Sequence, residues 1–583
     1  MPRMRRASDV TARELGVLVV GACLVAVFMH WPLVLHLGHN IPKDLGDPLA
    51  QAYQMAWDGY ALAHQPLHFF DANQFWPFGD TLAFSDALIG YAPAGLIGLG
   101  PHAAVFRYDL MFLFAYALGF VGAYLLAREL GLGPGGAAVA GAAFAFAPFR
   151  LEQDGHMQVI SSGGIALALA LGVRGYRLRR PGWIIAGWVV ATWQLLLGFT
   201  LGLPFAYLLV ALWIVAAIAW WRRGRPPIDR GLAVATVAGA ILFVGAGFGL
   251  SRPYEHVADA HPQARRSASE VEAFSAPPWA YLVAPDENLL WGSATEPLRD
   301  TLSNVPEETL FPGIAILALA LAGLGSASFP RWLRRGLGIG VVVLAVLALG
   351  FRSAGGYLWP YRWIYELLPG WQAIRAPGRL DTFTSLGLAL LAGAGLERLM
   401  ARRVPGGAPA WRGAAAITGV VVLGILVEGR GLPFDPYDDQ AQPKVPAVPP
   451  STASVPAPQL HLPAKRATDN RRYVLWSTDG YPKIVNGRSS LNPQFTESVI
   501  RREQGFPDRR GVELLARLGV RSVVLHTNRV KGTAWQGAAR KPLAGLSLDR
   551  SRRDELLIYE LTGNRQTRRG DVPDGGSSRR RSH

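Results

Sequence analysis

Long apolar runs separated by short polar turns dominate the chain. Eleven of them fall at roughly 14–36, 107–128, 135–149, 157–173, 183–201, 202–221, 231–250, 310–326, 336–351, 380–398 and 412–429. Most approach the length that crosses about 30 Å of hydrocarbon, where a backbone without water has to satisfy its hydrogen bonds inside a helix. The pattern predicts an α-helical polytopic membrane protein with about eleven transmembrane helices. A further apolar run, "FSDALIGYAPAGLIGL" at 84–99, is short and broken by proline and glycine, and suits a re-entrant or interfacial segment as well as a span.

Composition agrees: of 583 residues, 50% are hydrophobic and 17% charged. Arginine then selects a topology. The short loops "MPRMRR", "RELGLGPGG", "RGYRLRRPG", "WRRGRPPIDRG", "RWLRRG" and "ERLMARR" all fall on one side only if 84–99 does not cross. The expectation is a cell-membrane protein with its N-terminus cytoplasmic and its C-terminal domain extracytoplasmic. The first run is too long for a cleaved signal peptide and lacks a small-residue cleavage site. The net charge of +16 is then mostly topology and attraction to anionic headgroups, and no motif supports a nucleic-acid partner. The single cysteine, Cys23, excludes an internal disulfide and gives no basis for thiol chemistry.

The polar mass lies in the external loops 37–106, 252–309 and 352–379 of a membrane domain spanning 1–430, and in the residues C-terminal to that domain. Residues 431–464, rich in proline and alanine, read as a linker. Residues 465–562 read as a small α/β domain, with "RRYVLWST" a strand, "FPDRRGVELLARLG" an amphipathic helix, and "VRSVVLHT" and "DELLIYEL" strands. The arginine- and serine-rich 563–583 reads as a disordered basic tail. No phosphate-cradling glycine loop occurs in a suitable setting, which disfavours a nucleotide used from the cytoplasm.

Candidate chemistry sits in these loops. In "NIPKDLGDPLAQAYQMAWDGYAL", Asp47 before Pro48 has the pattern of a helix N-cap, and the helix after it that of an amphipathic interfacial element, with Asp58 on its wet face. Asp71, Asp80 and Asp86 follow among aromatics, with turn chemistry sufficient for Asp80. The turn "FRLEQDGHMQ" packs Arg150, Glu152, Asp154 and His156 beside the membrane, where ionisable groups are costly unless they face a polar cavity. His156 also reads as a solvated loop residue. Asp286, Glu287, Glu307 and Glu308 lie in the next large loop with Trp279 and Trp291, which suit interface anchoring and sugar stacking equally. Arg362, Arg375 and Arg379 break the charge bias, and forked guanidiniums suit a lipid phosphate, with headgroup snorkelling as the plainer account.

The order "GDPLAQAYQMAWDGYAL", "FDANQFWPFGDTLAFSD", "GAYLLARELG", "FAFAPFRLEQDGHMQ", "LFPG", "LPGWQAIRAPGRL", "YPKIVNGRSSLNP" and "FPDRRGVELLARLGVRSVVLH" resembles bacterial membrane proteins of the GT-C glycosyltransferase superfamily, of the YfhO and mannosyltransferase-like types. The resemblance implies an inverting glycosyltransferase that takes a sugar from a polyprenyl-phosphate donor on the external face. The acceptor would be a lipid, glycan or protein. It implies Asp47 as catalytic base with His156 positioning acceptor or phosphate, and Arg375, Arg379 and Arg150 around the phosphate. Asp154, Asp71 and Glu287 complete the substrate-binding candidates. No cofactor is indicated; a divalent cation stays open, with no ligand assigned. Where relatives carry an acid followed by histidine, this chain has Asp86-Ala87, which removes the basis for a role there. The segment "NGRSSLNP", with Asn486 and Arg488, reads as acceptor-binding or as a lid. A transporter or flippase is the rival class, but no repeated halves are visible and the acids lie outside the spans. A non-catalytic envelope-assembly protein of the same fold is a third reading.

Overall fold

The computed structural model describes residues 9–225, 227, 229–352, 360–403, 410–430, 442–449 and 452–562. The disordered-tail expectation for 563–583, part of the 431–464 linker and residues 353–359 of the third loop lie outside the described residues.

Each of the eleven apolar runs coincides with helix. Among the described residues, seven helical segments are long and apolar enough to cross a membrane: Ala12–Met29, Gly100–Glu129, Met157–Leu178, Phe199–Arg222, Arg230–Ala260, Pro377–Ala401 and Gly413–Arg430. Pro181–Leu196 and Ile314–Gly323 are apolar but shorter. The broken run at 84–99 forms short turns, Ile89–Tyr91 and Ala92–Gly95, rather than one helix, as its prolines and glycines dictate. The chain is a polytopic helical membrane protein.

Its contacts divide it into two compact units, the first comprising Met1–Leu35, Leu110–Leu250 and Arg265–Asp438. Here the helix Asp381–Arg403 packs against Pro134–Phe146, Ile314–Gly323 and Arg331–Ala348. Glycine makes the closest of these crossings feasible. A Cβ on Gly395 would stand 1.9 Å from the Leu319 carbonyl oxygen, and one on Gly323 would stand 1.9 Å from that of Leu391. Glu428 holds the start of Ile314–Gly323, accepting from the Ile314 and Ala315 amides at 2.6 and 2.8 Å and from the Trp291 indole at 3.0 Å. Trp291 is thereby engaged inside the protein.

The second unit comprises His36–Asp109, Ser251–Ala264 and Asp439–His583. The first large loop therefore belongs to the same body as the tail. Its sheet runs in the order β1 (Gln459–Leu462), β2 (Ser522–His526), β4 (Leu556–Leu561), β3 (Leu548–Arg553), with β1 parallel to β2 and the other pairs antiparallel. Leu460, Leu462, Val523, Leu525, Trp535 and Tyr559 fill one face against the helices Gln494–Arg502 and Arg509–Arg517.

Three expectations for this unit need correction. The Arg471–Trp476 part of "RRYVLWST" lies in a helix, Ala467–Trp476, which packs against the helix Asp47–His64, a partner far along the chain that local β-propensity does not register. β1 lies inside the stretch read as linker, where two-sided burial compensates its proline-rich surroundings. The helix Asp47–His64 is also not an exposed interfacial element. It packs against Ala467–Trp476 and Ala92–Gly95, Trp57 donates to the Phe69 carbonyl at 2.9 Å, Tyr60 stacks on Tyr481 at 4.2 Å, and Asp58 is 0% exposed. Asn73 locks loop and tail together: it accepts from the Tyr53 hydroxyl at 2.6 Å and donates to Ser477 at 3.1 Å and to the Pro482 carbonyl at 2.7 Å. The Ile484 amide donates to the Asn73 carbonyl at 2.8 Å and the Trp76 amide to that of Ile484 at 2.9 Å.

The glycine crossings make a sharp prediction. Gly395→Val should lower the thermal midpoint of the detergent-purified protein by an amount equivalent to about 1–3 kcal/mol or more, whereas Gly340→Ala, whose Cβ would meet nothing within 4 Å, should leave it unchanged.

Candidate functional site

The turn after the helix Pro134–Phe146 positions the first cluster. Pro148 starts a short helix, Pro148–Glu152, and the backbone then tightens over Gln153–Gly155. This folds four charged or titratable side chains inward. The guanidinium of Arg150, a residue 2% exposed overall, donates to the Ser162 hydroxyl and the Ile160 carbonyl, and lies 5.1 Å from the Phe144 ring centre. Asp154 accepts from the Tyr116 hydroxyl, pairs with Arg430 at 2.9 Å and lies 3.7 Å from His30 Nε2. Burial alone would raise the Asp154 pKa, but the neighbouring His30 and Arg430 reverse this and hold it below the usual carboxylate range. Glu287 reaches the same Arg430 at 3.8 Å.

His156 leads to a second group in the same unit. Its Nδ1 lies 3.0 Å from Gln153 Oε1, and its Nε2 lies 3.6 Å from Glu307 Oε1. Gln153 in turn donates to the Pro306 carbonyl at 2.5 Å, tying the turn to the loop that carries Glu307. Arg379 grips Glu307 with two guanidinium nitrogens, one at 3.0 Å. Burial again opposes ionisation of Glu307, yet the charges of Arg379, His156 and Arg375 prevail and bring its pKa to about 2. Arg375 stacks over the Phe274 ring at 4.5 Å. Its own pKa is lowered by burial and by the like charges of Arg379 and Arg266. One carboxylate thus serves two arginines and a histidine. Arg379, Arg375 and His156 come together, and Glu307, which the sequence marked only as one acid among four, is the group that organises them.

In the second unit, Asp47 occupies the first position of its helix, with Gly46 as the cap and no side-chain capping bond, so the N-cap reading is corrected. Its carboxylate pairs with Arg471 and keeps 46% of its side-chain surface exposed. Asp71 holds a turn, accepting from His68 Nδ1 at 3.1 Å and from the Asp80 amide at 3.0 Å. Asp80 has a positive φ of 51°, and burial first, then Asp71, raises its pKa. Asn486 is fully buried: its amide accepts from the His461 amide at 2.7 Å and donates to the His461 carbonyl and Asn470 at 3.0 Å each. It is a structural clamp. Among the described residues, no three His, Cys, Asp or Glu side chains converge as metal ligands would. A hollow of about 380 Å³ in this unit is lined by Gly38, His39, Pro101, His102, Lys444 and Val445 and contains none of the residues singled out from the sequence.

No protein-family model matches the chain. No curated protein matches it either. Among solved structures, arabinofuranosyltransferase AftD from Mycobacteria aligns in one cryo-EM class at TM-score 0.56 and 15% identity, covering 96% of this chain and 42% of AftD. A second class gives 0.52 and 16% over the same shares. The chain has the GT-C fold. It spans about two fifths of the length of AftD. ArnT from Cupriavidus metallidurans, bound to undecaprenyl phosphate, aligns more weakly, at TM-score 0.48 and 15% identity over 94% of this chain and 98% of ArnT. At such identities the likeness is one of fold, and the chemistry follows from this chain's own side chains.

The Glu307 group yields a prediction with a definite sign. A carboxylate whose folded pKa is depressed stabilises the protein above its unfolded pKa and loses that contribution as pH falls through the folded value. Glu307→Gln should therefore destabilise by about 3–5 kcal/mol, leaving Arg379 buried without its partner. The gap in thermal midpoint between variant and wild type should stay constant from about pH 5 to 8 and narrow below about pH 4.5.

Proposed function

We propose that this GT-C-fold protein is a glycosyltransferase that moves a sugar from a polyprenyl-phosphate carrier to a lipid, glycan or protein acceptor on the external face of the membrane. The observation that carries the reading is Asp47. It stands in the loop after the first span, at the first position of a packed helix, with 46% of its side-chain surface exposed. The fold likeness to AftD, an arabinofuranosyltransferase, supports the class of reaction.

In the proposed reaction the acceptor hydroxyl attacks the anomeric carbon in a single displacement with inversion. Asp47 accepts the hydroxyl proton, the bond from the anomeric carbon to the phosphate oxygen breaks, and the carrier leaves as its phosphate. A carboxylate suits this role because its oxygen can take up the hydroxyl proton as the new bond to the anomeric carbon forms. Arg375 and Arg379 are the phosphate-binding candidates of the first unit, since one carboxylate, Glu307, neutralises them only in part. His156 is a positioning candidate through its contact with Glu307. Arg150 and Asp154 brace the turn that carries His156, and Glu287 joins that brace through Arg430. A divalent cation is a further proposal for which no ligand set is assigned.

Sugar transfer from radiolabelled synthetic polyprenyl-phosphate donors in proteoliposomes tests the reading. Asp47→Asn should lower transfer about 100-fold or more at unchanged folding, the contribution expected of a general base. Equal transfer by the two proteins would remove Asp47 as the base, and no transfer with any donor would remove the reaction.

A further inference from the structure

The tail places more positive charge beside Asp47 than that carboxylate can neutralise. Arg471, on the helix Ala467–Trp476, pairs with Asp47 through one terminal nitrogen, and its Nε is shut off from solvent without a hydrogen-bond partner. Arg488, in the segment after the Asn486 clamp, is half-buried, and its Nε is likewise enclosed and unpartnered. No hydrogen bond or ion pair holds the Arg488 guanidinium among the described residues. The hydrogen bond from Asn486 to Asn470, the residue before Arg471, holds the Arg488 segment against the Arg471 helix at 3.0 Å, and burial and then the charge of Arg471 lower the Arg488 pKa, while Asp47 and Glu497 act in the opposite sense. Glu497 is exposed, so water screens its share.

Two adjacent, partly desolvated guanidiniums around one carboxylate are an unfavourable arrangement by themselves. An oxyanion removes the repulsion and supplies acceptors for planar, forked donors, the geometry in which arginine binds phosphate and carboxylate best. The rigid backing argues against a mere surface accident. Asn486, two residues before Arg488, is fixed by three internal hydrogen bonds, and the carbonyl of Asn486 accepts from the Phe75 amide at 3.1 Å. Arg488 therefore follows a segment clamped by these hydrogen bonds.

We infer that Arg471 and Arg488 form an oxyanion-binding site beside Asp47, for a phosphate or carboxylate borne by a ligand that reaches this unit. That this ligand is a transferase substrate rests on the function proposed above; the anion site does not. If Asp47 is the base, the molecule whose hydroxyl it deprotonates carries a negative group next to that hydroxyl. Anion occupancy would also draw Arg471 away from Asp47 and free the carboxylate at the moment the ligand arrives.

The test is anion binding by the full chain in nanodiscs of phosphatidylcholine, followed calorimetrically with inorganic phosphate, glucuronate and decyl phosphate. Wild type should bind at least one of these saturably, and Arg488→Gln should weaken that binding about tenfold or more, the loss of a charge-assisted hydrogen bond. Arg488→Lys should keep part of it, and Arg509→Gln, at an 83%-exposed side chain paired with Glu513, should change nothing. Tighter binding of decyl phosphate than of inorganic phosphate assigns the anion to a lipid, and preference for glucuronate assigns it to an acidic sugar. Equal affinity in wild type and Arg488→Gln, or no saturable binding of any probe, overturns the site. Should Arg488→Gln melt at a lower temperature, the charge-conserving Arg488→Lys becomes the deciding comparison, and binding at full strength there refutes a forked contact. Anion binding without sugar transfer would overturn the transferase reading and leave the site standing; transfer without anion binding would do the reverse.

Discussion

A carboxylate at the edge of a hydrocarbon slab has to find a cation or lose its charge. In the first unit Arg430 meets that constraint for Asp154, and Arg379 meets it for Glu307. The turn carrying Arg150 and His156 owes its shape to these pairs, since Asp154 anchors one end and the Gln153 contact with the Glu307 loop anchors the other. In the second unit the same rule binds Asp47 to Arg471 but leaves Asp47 half in solvent. The difference matters for chemistry. A fully buried ion pair is architecture, whereas a half-exposed one can open when a competing charge arrives.

Much of the membrane domain was legible in the sequence because a span is a local property. Length, apolarity and the placement of glycine and proline are written residue by residue, and each of the eleven runs coincides with helix. The turns at 84–99 were legible for the same reason. What escaped was burial imposed from far along the chain. The stretch 473–476 is aromatic and β-branched enough to read as a strand, yet it is the end of a helix that packs against Asp47–His64, more than 400 positions earlier. β3, with one buried residue in six, has no apolar alternation to announce it and exists because β4 offers it an edge.

The candidate site divides along the same line. Asp47, His156, Arg375 and Arg379 were identifiable as charges beside membrane helices, but their partners were not. Arg471 lies 424 positions from Asp47, and Glu307 lies 72 positions before Arg379. Nothing local links such pairs. Asp58 shows the cost of local reading most plainly: a polar position on a helix whose other face is aromatic looks solvated, until the tail and the Ala92–Gly95 turn cover it.

The Asn73 clamp has a consequence for how the protein is made. Its partner Ser477 lies 404 positions later in the chain. At ordinary ribosomal speed the helix Asp47–His64, with Tyr53, Trp57 and Ala61 on its covered face, waits about 20–80 s before its tail partners Val474 and Ile484 are synthesised. During that interval the face that the tail will cover stands open. Biogenesis therefore has a built-in vulnerable window, in which a chaperone or the lipid surface has to hold the first loop until the last domain emerges to claim it.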